Sequence, residues 1–201
     1  NDDPVYIQAV ADQIVRLVRA TNGHTAILFT SYKLLSAIYE LTKDQLPDGQ
    51  LICMTRSNKN AIKEFQKSRN SVLFASGAFW EGVDCVGDRL SSVIIVRLPF
   101  PMRSAHLEQM KNSRPDVRTF IQTYAVPEML IKLRQGVGRL IRCESDTGLI
   151  SILDARAEKG IYAEKIRQVL RKYPEVQTIE EVQAFFKAVK PKEYFEDRVD
   201  V

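Results

Sequence analysis

The 201-residue chain lacks several common signatures of function. No apolar run approaches the roughly 18–20 residues of a membrane span, and no signal-peptide pattern is present. Its three cysteines lie far apart without a C-x-x-C pair, and its two histidines have no His or Cys neighbours at ligand spacing. These absences argue against a zinc ribbon and a disulfide framework, so we expect no metal site and a reduced, cytoplasmic setting.

The sequence also lacks a phosphate loop of the form G-x-x-x-x-G-K-[ST] and an acid pair of the DEAH type to hold Mg²⁺. Without them the chain cannot build a full ATP site alone. Its net charge of +4 includes no dense basic run, so composition is weak support for a nucleic-acid partner. Because the sequence begins without Met, we expect a fragment of a longer polypeptide.

What is present is an alternation of strand and helix patterns. Apolar runs typical of strands buried on both faces lie at 25–29, 51–54, 72–75, 92–96 and 149–153. Helical patterns lie at 5–19, 34–41, 60–67, 126–142, 163–171 and 179–189. The alternation predicts one α/β domain over residues 1–201, with a mostly parallel sheet flanked by helices. In such sheets ligands bind at the carboxyl ends of the strands, where we expect the site.

Two segments depart from the alternation. Four prolines punctuate residues 99–127, which we interpret as an inserted excursion with two short helical patches. A charged tail begins at about residue 190, and we expect it to be poorly ordered.

The stretch QGVGRLIR, at 135–142, lies at the end of the helix predicted over 126–142. On a regular helix Gln135, Arg139 and Arg142 fall within an arc of about 60°, opposite the apolar residues. Two Arg and an amide in register could grip a phosphate, as an arginine finger does. Gly136 and Gly138, each costing about 1 kcal/mol in a helix relative to Ala, would permit close backbone approach. The alternative, equally supported by the pattern, is an exposed helix face whose Arg side chains pair with local acids.

Loops after the first and third strands hold further polar groups. Ser31 and its neighbours could bond a phosphodiester backbone, or Ser31 could simply cap the next helix. In the loop SGAFWEGVD, an acid of the EGVD stretch could accept a hydrogen bond from a ribose hydroxyl or hold an Arg in place. Trp80 could stack on a base, although an anchor in the core is the favoured interpretation.

Together, AILFTSYKLL, FASGAFWEGVDCVGDRLSSVIIVRLPFP, QGVGRLIR and GLISILDAR resemble, in order and spacing, the second motor domain of the DinG/XPD-like helicases of superfamily 2. The resemblance covers residues 26–156, about two thirds of the chain, and favours the bacterial DinG side of the family. It implies a RecA-like, P-loop-type α/β domain without its own phosphate loop. It also implies an ATP-dependent DNA helicase with a role in DNA repair.

Carried over residue by residue, the resemblance implies three groups of site residues. Gln135, Arg139 and Arg142 match motif VI, which faces the nucleotide across an interdomain cleft, with Arg142 the first candidate for the arginine finger. Gly82 and Asp84 match motif V, with Glu81 beside them. Contacts to single-stranded DNA are implied for the following residues: Thr30, Ser31, Tyr32, Ser76, Gly77 and, by stacking, Trp80.

The resemblance also implies partners outside this chain. ATP and Mg²⁺ would bind between this domain and the N-terminal motor domain of the same polypeptide, so the isolated chain is expected to be inactive. An iron–sulfur cluster, where family members have one, belongs to that first motor half. Three alternatives stay open: the motor-like domain of a DinG-type 3′–5′ exonuclease, a non-motor nucleic-acid-binding module, and a small-molecule enzyme, for which no convincing catalytic set is found.

Overall fold

A single parallel sheet organises the fold. The computed structural model describes residues 3–46, 51–54, 58, 60–68, 70–76, 85, 87–102, 104–142, 146–159 and 161–196. Its strands, in the order β2-β3-β1-β4-β5, are β1 Thr25–Phe29, β2 Leu51–Cys53, β3 Val72–Ser76, β4 Ser92–Ile95 and β5 Leu149–Ile152. All four strand pairings are parallel. The predicted α/β class and the five strands are confirmed.

The helices of the described residues cover both faces of this sheet. They are α1 Pro4–Ala20, α2 Tyr32–Thr42, α3 Ala61–Lys67, α4 Ala105–Asn112, α5 Val117–Phe120, α6 Val126–Gly138, α7 Ala163–Leu170 and α8 Ile179–Val189. Ile27 and Phe29 of β1 join a core with α1, α2 and α8, while Ala26 and Leu28 join a second core with α3, α6 and α7. Successive residues of a strand point to opposite faces, so the buried strand β1 is apolar on both faces from Ala26 to Phe29.

The α-helix predicted to begin at residue 126 does begin there, but a helical run precedes it. A π-helical segment, Ile121–Ala125, joins α5 directly to α6, and the Val126 N–H donates to the carbonyl of Ile121. Pro127 lacks an N–H and would crowd the carbonyl four residues before it in a regular helix. The wider π turn accommodates it. Pro127 therefore lies within a helical run and does not mark its start.

The C-terminal segment packs against the core as far as Phe195, so the expectation of a poorly ordered tail is wrong for 190–195. The Lys190 side chain is only 2% exposed, and its Nζ donates to Asp88 Oδ1 at 2.6 Å and to the Thr147 carbonyl at 2.7 Å. Tyr194 is buried, and its hydroxyl donates to the Thr21 carbonyl at 2.7 Å. Lys190 and Tyr194 therefore anchor the tail to the rest of the domain, although the tail's charged composition suggested that it would be poorly ordered.

Candidate functional site

The described residues that were singled out as contacts to single-stranded DNA lie at the carboxyl edge of the sheet. Phe29, the last residue of β1, is in register with Ser76, the last of β3. Neighbouring strands are about 4.8 Å apart, so Thr30 and Ser31 follow β1 close to Ser76. The fold therefore brings together residues separated by more than forty positions in the sequence.

These residues differ in their exposure. Ser31 caps α2, with its Oγ accepting from the Leu34 N–H at 3.3 Å, as the local sequence suggested. This cap leaves the hydroxyl proton of Ser31 free to donate elsewhere. Tyr32 is 43% exposed, whereas Ser76 is only 5% exposed. Tyr32 is thus open to a ligand from solvent, while Ser76 is buried.

Residues 139–142, which carry Arg139 and Arg142, lie at the opposite edge of the sheet. Leu140 packs against Gly148, which directly precedes β5, and the Leu149 N–H donates to the Ser91 carbonyl at 2.9 Å. Ser91 in turn precedes β4. This segment therefore lies at the amino ends of β4 and β5, whereas the sheet type had directed attention to loops at the carboxyl ends of the strands.

The end of α6 corrects the predicted geometry of the two arginines. The helix ends at Gly138, and the N–H groups of Leu140 and Ile141 both donate to the Val137 carbonyl. The Arg142 N–H then donates to Asp146 Oδ2 at 2.8 Å. Arg142 is reached by a turn, so the single helical face calculated for Gln135, Arg139 and Arg142 does not exist. Two glycines in the last three positions of the helix weaken it here.

Gln135 and Arg139 are nonetheless near one another. They are four residues apart, the spacing that stacks side chains on one side of a helix. Gln135 is exposed and Arg139, the first residue after α6, is half-buried. A Cβ added to Gly138 would meet no described atom within 4 Å, so among the described residues none makes the close approach that this glycine would permit.

The Arg139 side chain is the least satisfied group in this segment. Its Nε is buried, and within the described ranges of the chain it has no hydrogen-bond partner. Buried donors nearly always have an acceptor. The alternative in which this Arg pairs with a local acid therefore finds no support in the described part of the fold.

Sequence reasoning missed a cluster of cations and aromatic rings at the carboxyl ends of β4 and β5. The Arg97 guanidinium lies over the Tyr6 ring at 5.3 Å, and that of Arg156 lies over the Phe100 ring at 5.1 Å. The loop DARAEKG marks this place in the sequence, but only the fold brings residues 6 and 100 to it. This edge is the one that also carries Tyr32.

Asp154 fixes one arginine of this cluster. Its carboxylate accepts from Nε and Nη2 of the Arg156 guanidinium, with the shortest bond at 2.6 Å. It also accepts from the Arg156 N–H at 3.1 Å and from the Leu98 N–H at 2.9 Å. Burial alone raises the pKa of Asp154, but these hydrogen bonds outweigh burial and hold the pKa below its usual range. Asp154 is therefore charged at neutral pH and orients Arg156 across Phe100.

Several predicted site residues lie outside the described residues, namely Gly77, Trp80, Glu81, Gly82 and Asp84. Within the described ranges, no three His, Cys, Asp or Glu side chains are grouped so as to hold a metal ion. None of the helices described is long and apolar enough to cross a membrane.

Comparison with known protein families matches residues 14–173 to the helicase C-terminal domain. The chain is 32% identical over 166 residues to the 3′-5′ exonuclease DinG of Bacillus subtilis. It is 34% identical over 163 residues to the ATP-dependent DNA helicase YoaA of Haemophilus influenzae. Each match covers 79% of this chain, but the chain spans only 18% and 25% of the lengths of these two relatives.

Among solved structures, an XPD helicase superposes with a TM-score of 0.64 at 17% sequence identity. The superposition covers 85% of this chain and 31% of the XPD chain. At this identity the likeness concerns the fold, and it agrees with the five-stranded parallel sheet.

Proposed function

Because the chain belongs to the family of helicase C-terminal domains, we propose that residues 1–201 form the second, RecA-like motor domain of a DinG-type, ATP-dependent DNA helicase. Sequence similarity to YoaA and DinG supports this proposal. The single observation that favours a phosphate-facing role is the Arg139 side chain, whose buried Nε has no acceptor within the described ranges. An anionic group from outside the chain would provide one.

In this proposal ATP binds in a cleft between this domain and an N-terminal motor domain of the same polypeptide. Arg142 acts as the arginine finger, and Arg139 and Gln135 add donors near the γ-phosphate, where a planar guanidinium can bond two oxygens at once. Gly82, Asp84 and Glu81 complete this side of the cleft. Mg²⁺ ligands are assigned to the N-terminal motor domain, because the described residues hold no acidic cluster. Closure of the cleft would then be required for hydrolysis.

Single-stranded DNA is proposed to follow the carboxyl edge of the sheet. Among the described residues, the proposed contacts are Tyr32, the hydroxyl groups of Thr30 and Ser31, and the buried Ser76. Gly77 and Trp80, which lie outside the described residues, are assigned to the same DNA strand. The cation–aromatic cluster around Arg97 and Arg156 extends this edge. Cationic grooves with aromatic rings are typical of single-strand binding without sequence preference. ATP and DNA would thus meet opposite edges of one sheet.

Substitution of Arg142 tests the ATP half of the proposal. In the complete polypeptide, Arg142→Ala should lower DNA-stimulated ATP turnover by about 10³-fold or more, the scale of a lost arginine finger. Affinity for a single-stranded oligonucleotide should remain within about twofold, because Arg142 lies at the other edge of the sheet. Arg134→Ala, at an exposed position on α6, is the matched control. Unchanged turnover in Arg142→Ala would overturn the finger assignment and favour a non-motor nucleic-acid-binding module.

Substitution of Tyr32 tests the DNA half. Tyr32→Ala should weaken binding of an oligo-dT probe about fivefold or more, since one stacked base contributes about 1–3 kcal/mol. Tyr32→Phe keeps the ring and serves as the control. Fluorescence anisotropy at one fixed salt concentration is the measurement, because such affinities depend steeply on salt. Equal affinities of all three proteins would remove Tyr32 from the DNA path.

The name of the Bacillus subtilis relative favours a second candidate, the motor-like domain of a 3′–5′ exonuclease. Degradation of a 5′-labelled single strand by the complete polypeptide distinguishes the two. A helicase leaves the strand intact and separates duplexes only with ATP. An exonuclease shortens the strand from its 3′ end, and Arg142→Ala would leave that cleavage unchanged.

A further inference from the structure

The position of Arg142 is set by a side chain and not by helical hydrogen bonds. Beyond Gly138, a regular helix would pair the Arg142 N–H with the Gly138 carbonyl. Instead that N–H donates to Asp146 Oδ2 at 2.8 Å. A carboxylate acceptor makes this bond stronger than one to a neutral carbonyl. An acid, Asp146, therefore helps to hold the backbone that presents Arg142.

The flanks of this turn are anchored in the core. Leu140 is 4% exposed and packs against Gly148. A Cβ at Gly148 would lie 2.7 Å from the Ser91 carbonyl oxygen and 2.8 Å from Leu140 Cδ1, so this approach requires glycine. Both ends of the 140–148 segment are thus held at the amino ends of β4 and β5, and the bond from the Arg142 N–H to Asp146 lies between them.

We propose that Asp146 is a positioning residue for Arg142. Its carboxylate holds the Arg142 backbone so that the guanidinium is presented to the phosphate at a fixed place. The inference rests on the proposed arginine-finger role of Arg142. Misplacing a catalytic group by about 1 Å can cost a hundredfold in rate. Loss of the acceptor should therefore lower turnover while leaving the binding of ATP, which most of the cleft supports, unchanged.

The test compares Asp146→Ala with Asp146→Asn in the complete polypeptide, with kcat and KM for ATP measured in DNA-stimulated hydrolysis. We expect Ala to lower kcat about tenfold or more with KM within about twofold. Asn, whose Oδ1 can still accept from the Arg142 N–H, should retain at least about half of the wild-type kcat. Asp116→Ala is the matched control, because Asp116 Oδ1 also accepts a backbone N–H at 2.8 Å, from Thr119 on α5. It should keep wild-type kcat.

Amide hydrogen exchange gives a second readout that does not depend on turnover. The Arg142 amide should exchange at least about tenfold faster in Asp146→Ala than in wild type, while Asp146→Asn protects it, because a lost acceptor opens the turn. In an Arg142→Ala background, adding Asp146→Ala should lower kcat by less than about twofold further, since the two residues act as a unit.

The outcomes separate this inference from the proposed function. Wild-type kcat in Asp146→Ala, with turnover lost in Arg142→Ala, overturns the positioning role alone. Turnover lost in Asp146→Ala but kept in Arg142→Ala overturns it as well, because Asp146 would then act through another group. Wild-type turnover in both variants overturns the finger and the positioning role together. Equal losses in the Ala and Asn variants would show that the hydrogen bond is not what matters.

Discussion

Acidification should unfold this domain partly through His24. Its side chain is 6% exposed and stacks on Tyr194 with ring centroids 4.0 Å apart. Within the described ranges neither ring nitrogen has a hydrogen-bond partner. Burial lowers the pKa of His24 from 6.5 to about 4, against smaller opposing effects of the Tyr194 and Asp88 carbonyls and the Asp88 charge, while Lys190 lowers it further.

The sign and size of the effect follow from this pKa. The unfolded chain takes up a proton as the pH falls below 6.5, but the folded state resists it until about pH 4. The stability contributed by the neutral ring is therefore complete above pH 6.5 and is lost progressively between pH 6.5 and 4. Between about pH 7.5 and pH 5 the loss from this one group amounts to about 2 kcal/mol.

Urea unfolding followed by circular dichroism measures this loss. The test variant is His24→Asn, because His24 has φ of 48° and Asn tolerates the left-handed region. Asn does not titrate, so the variant, though less stable at pH 7.5, should lose about 2 kcal/mol less than wild type on acidification to pH 5. His106→Gln, on the exposed surface of α4, is the control and should behave as wild type. Equal pH dependence in wild type and His24→Asn would refute the reasoning.

Three further predictions concern stability and reactivity. Lys190→Met keeps the buried stem but loses the bonds to Asp88 and the Thr147 carbonyl, so the free energy of unfolding in urea should fall by about 2 kcal/mol; an unchanged value would show that the tail is not anchored. Gly148→Ala should lower the free energy of unfolding by about 1–3 kcal/mol, because the added Cβ clashes with the Ser91 carbonyl and the Leu140 side chain. A wild-type thermal midpoint would contradict this. Burial raises the pKa of Cys85 to about 11, so in the native protein this thiol should react with a thiol reagent at pH 8 at least about tenfold more slowly than in urea, and equal rates would contradict its burial.

The strands and most helices were predictable because their signals are local. A strand buried on both faces is mostly apolar, as β1 is from Ala26 to Phe29 and β3 is from Val72 to Ala75, and such runs stand out in any sequence. The amphipathic period of α1 and α8 is likewise visible without the fold. The π segment before α6 was not predictable, since proline argues for a helix start as readily as for a widened turn.

The candidate site was predictable as residue types and not as geometry. The motif resemblance singled out Gln135, Arg139 and Arg142, but helical periodicity placed the last of them on a helix that ends at Gly138. Asp146 was overlooked because a side chain that accepts a hydrogen bond from a nearby backbone N–H has no signal in the sequence except its closeness along the chain. The Arg97 and Arg156 cluster was overlooked because its aromatic partner Tyr6 comes from the other end of the chain.

The α/β class, the strand positions and the family can be read from the amino-acid order alone, because they depend on local composition and on motifs in a fixed order. The edge of the sheet that each motif occupies cannot be read in this way and is known from the fold. A parallel strand has two ends, and the connections between strands cross from one to the other. As a result Ser31 and Arg142 lie at opposite edges, while Ser31 and Ser76 are neighbours. That arrangement depends on strand order, which no single stretch of sequence contains.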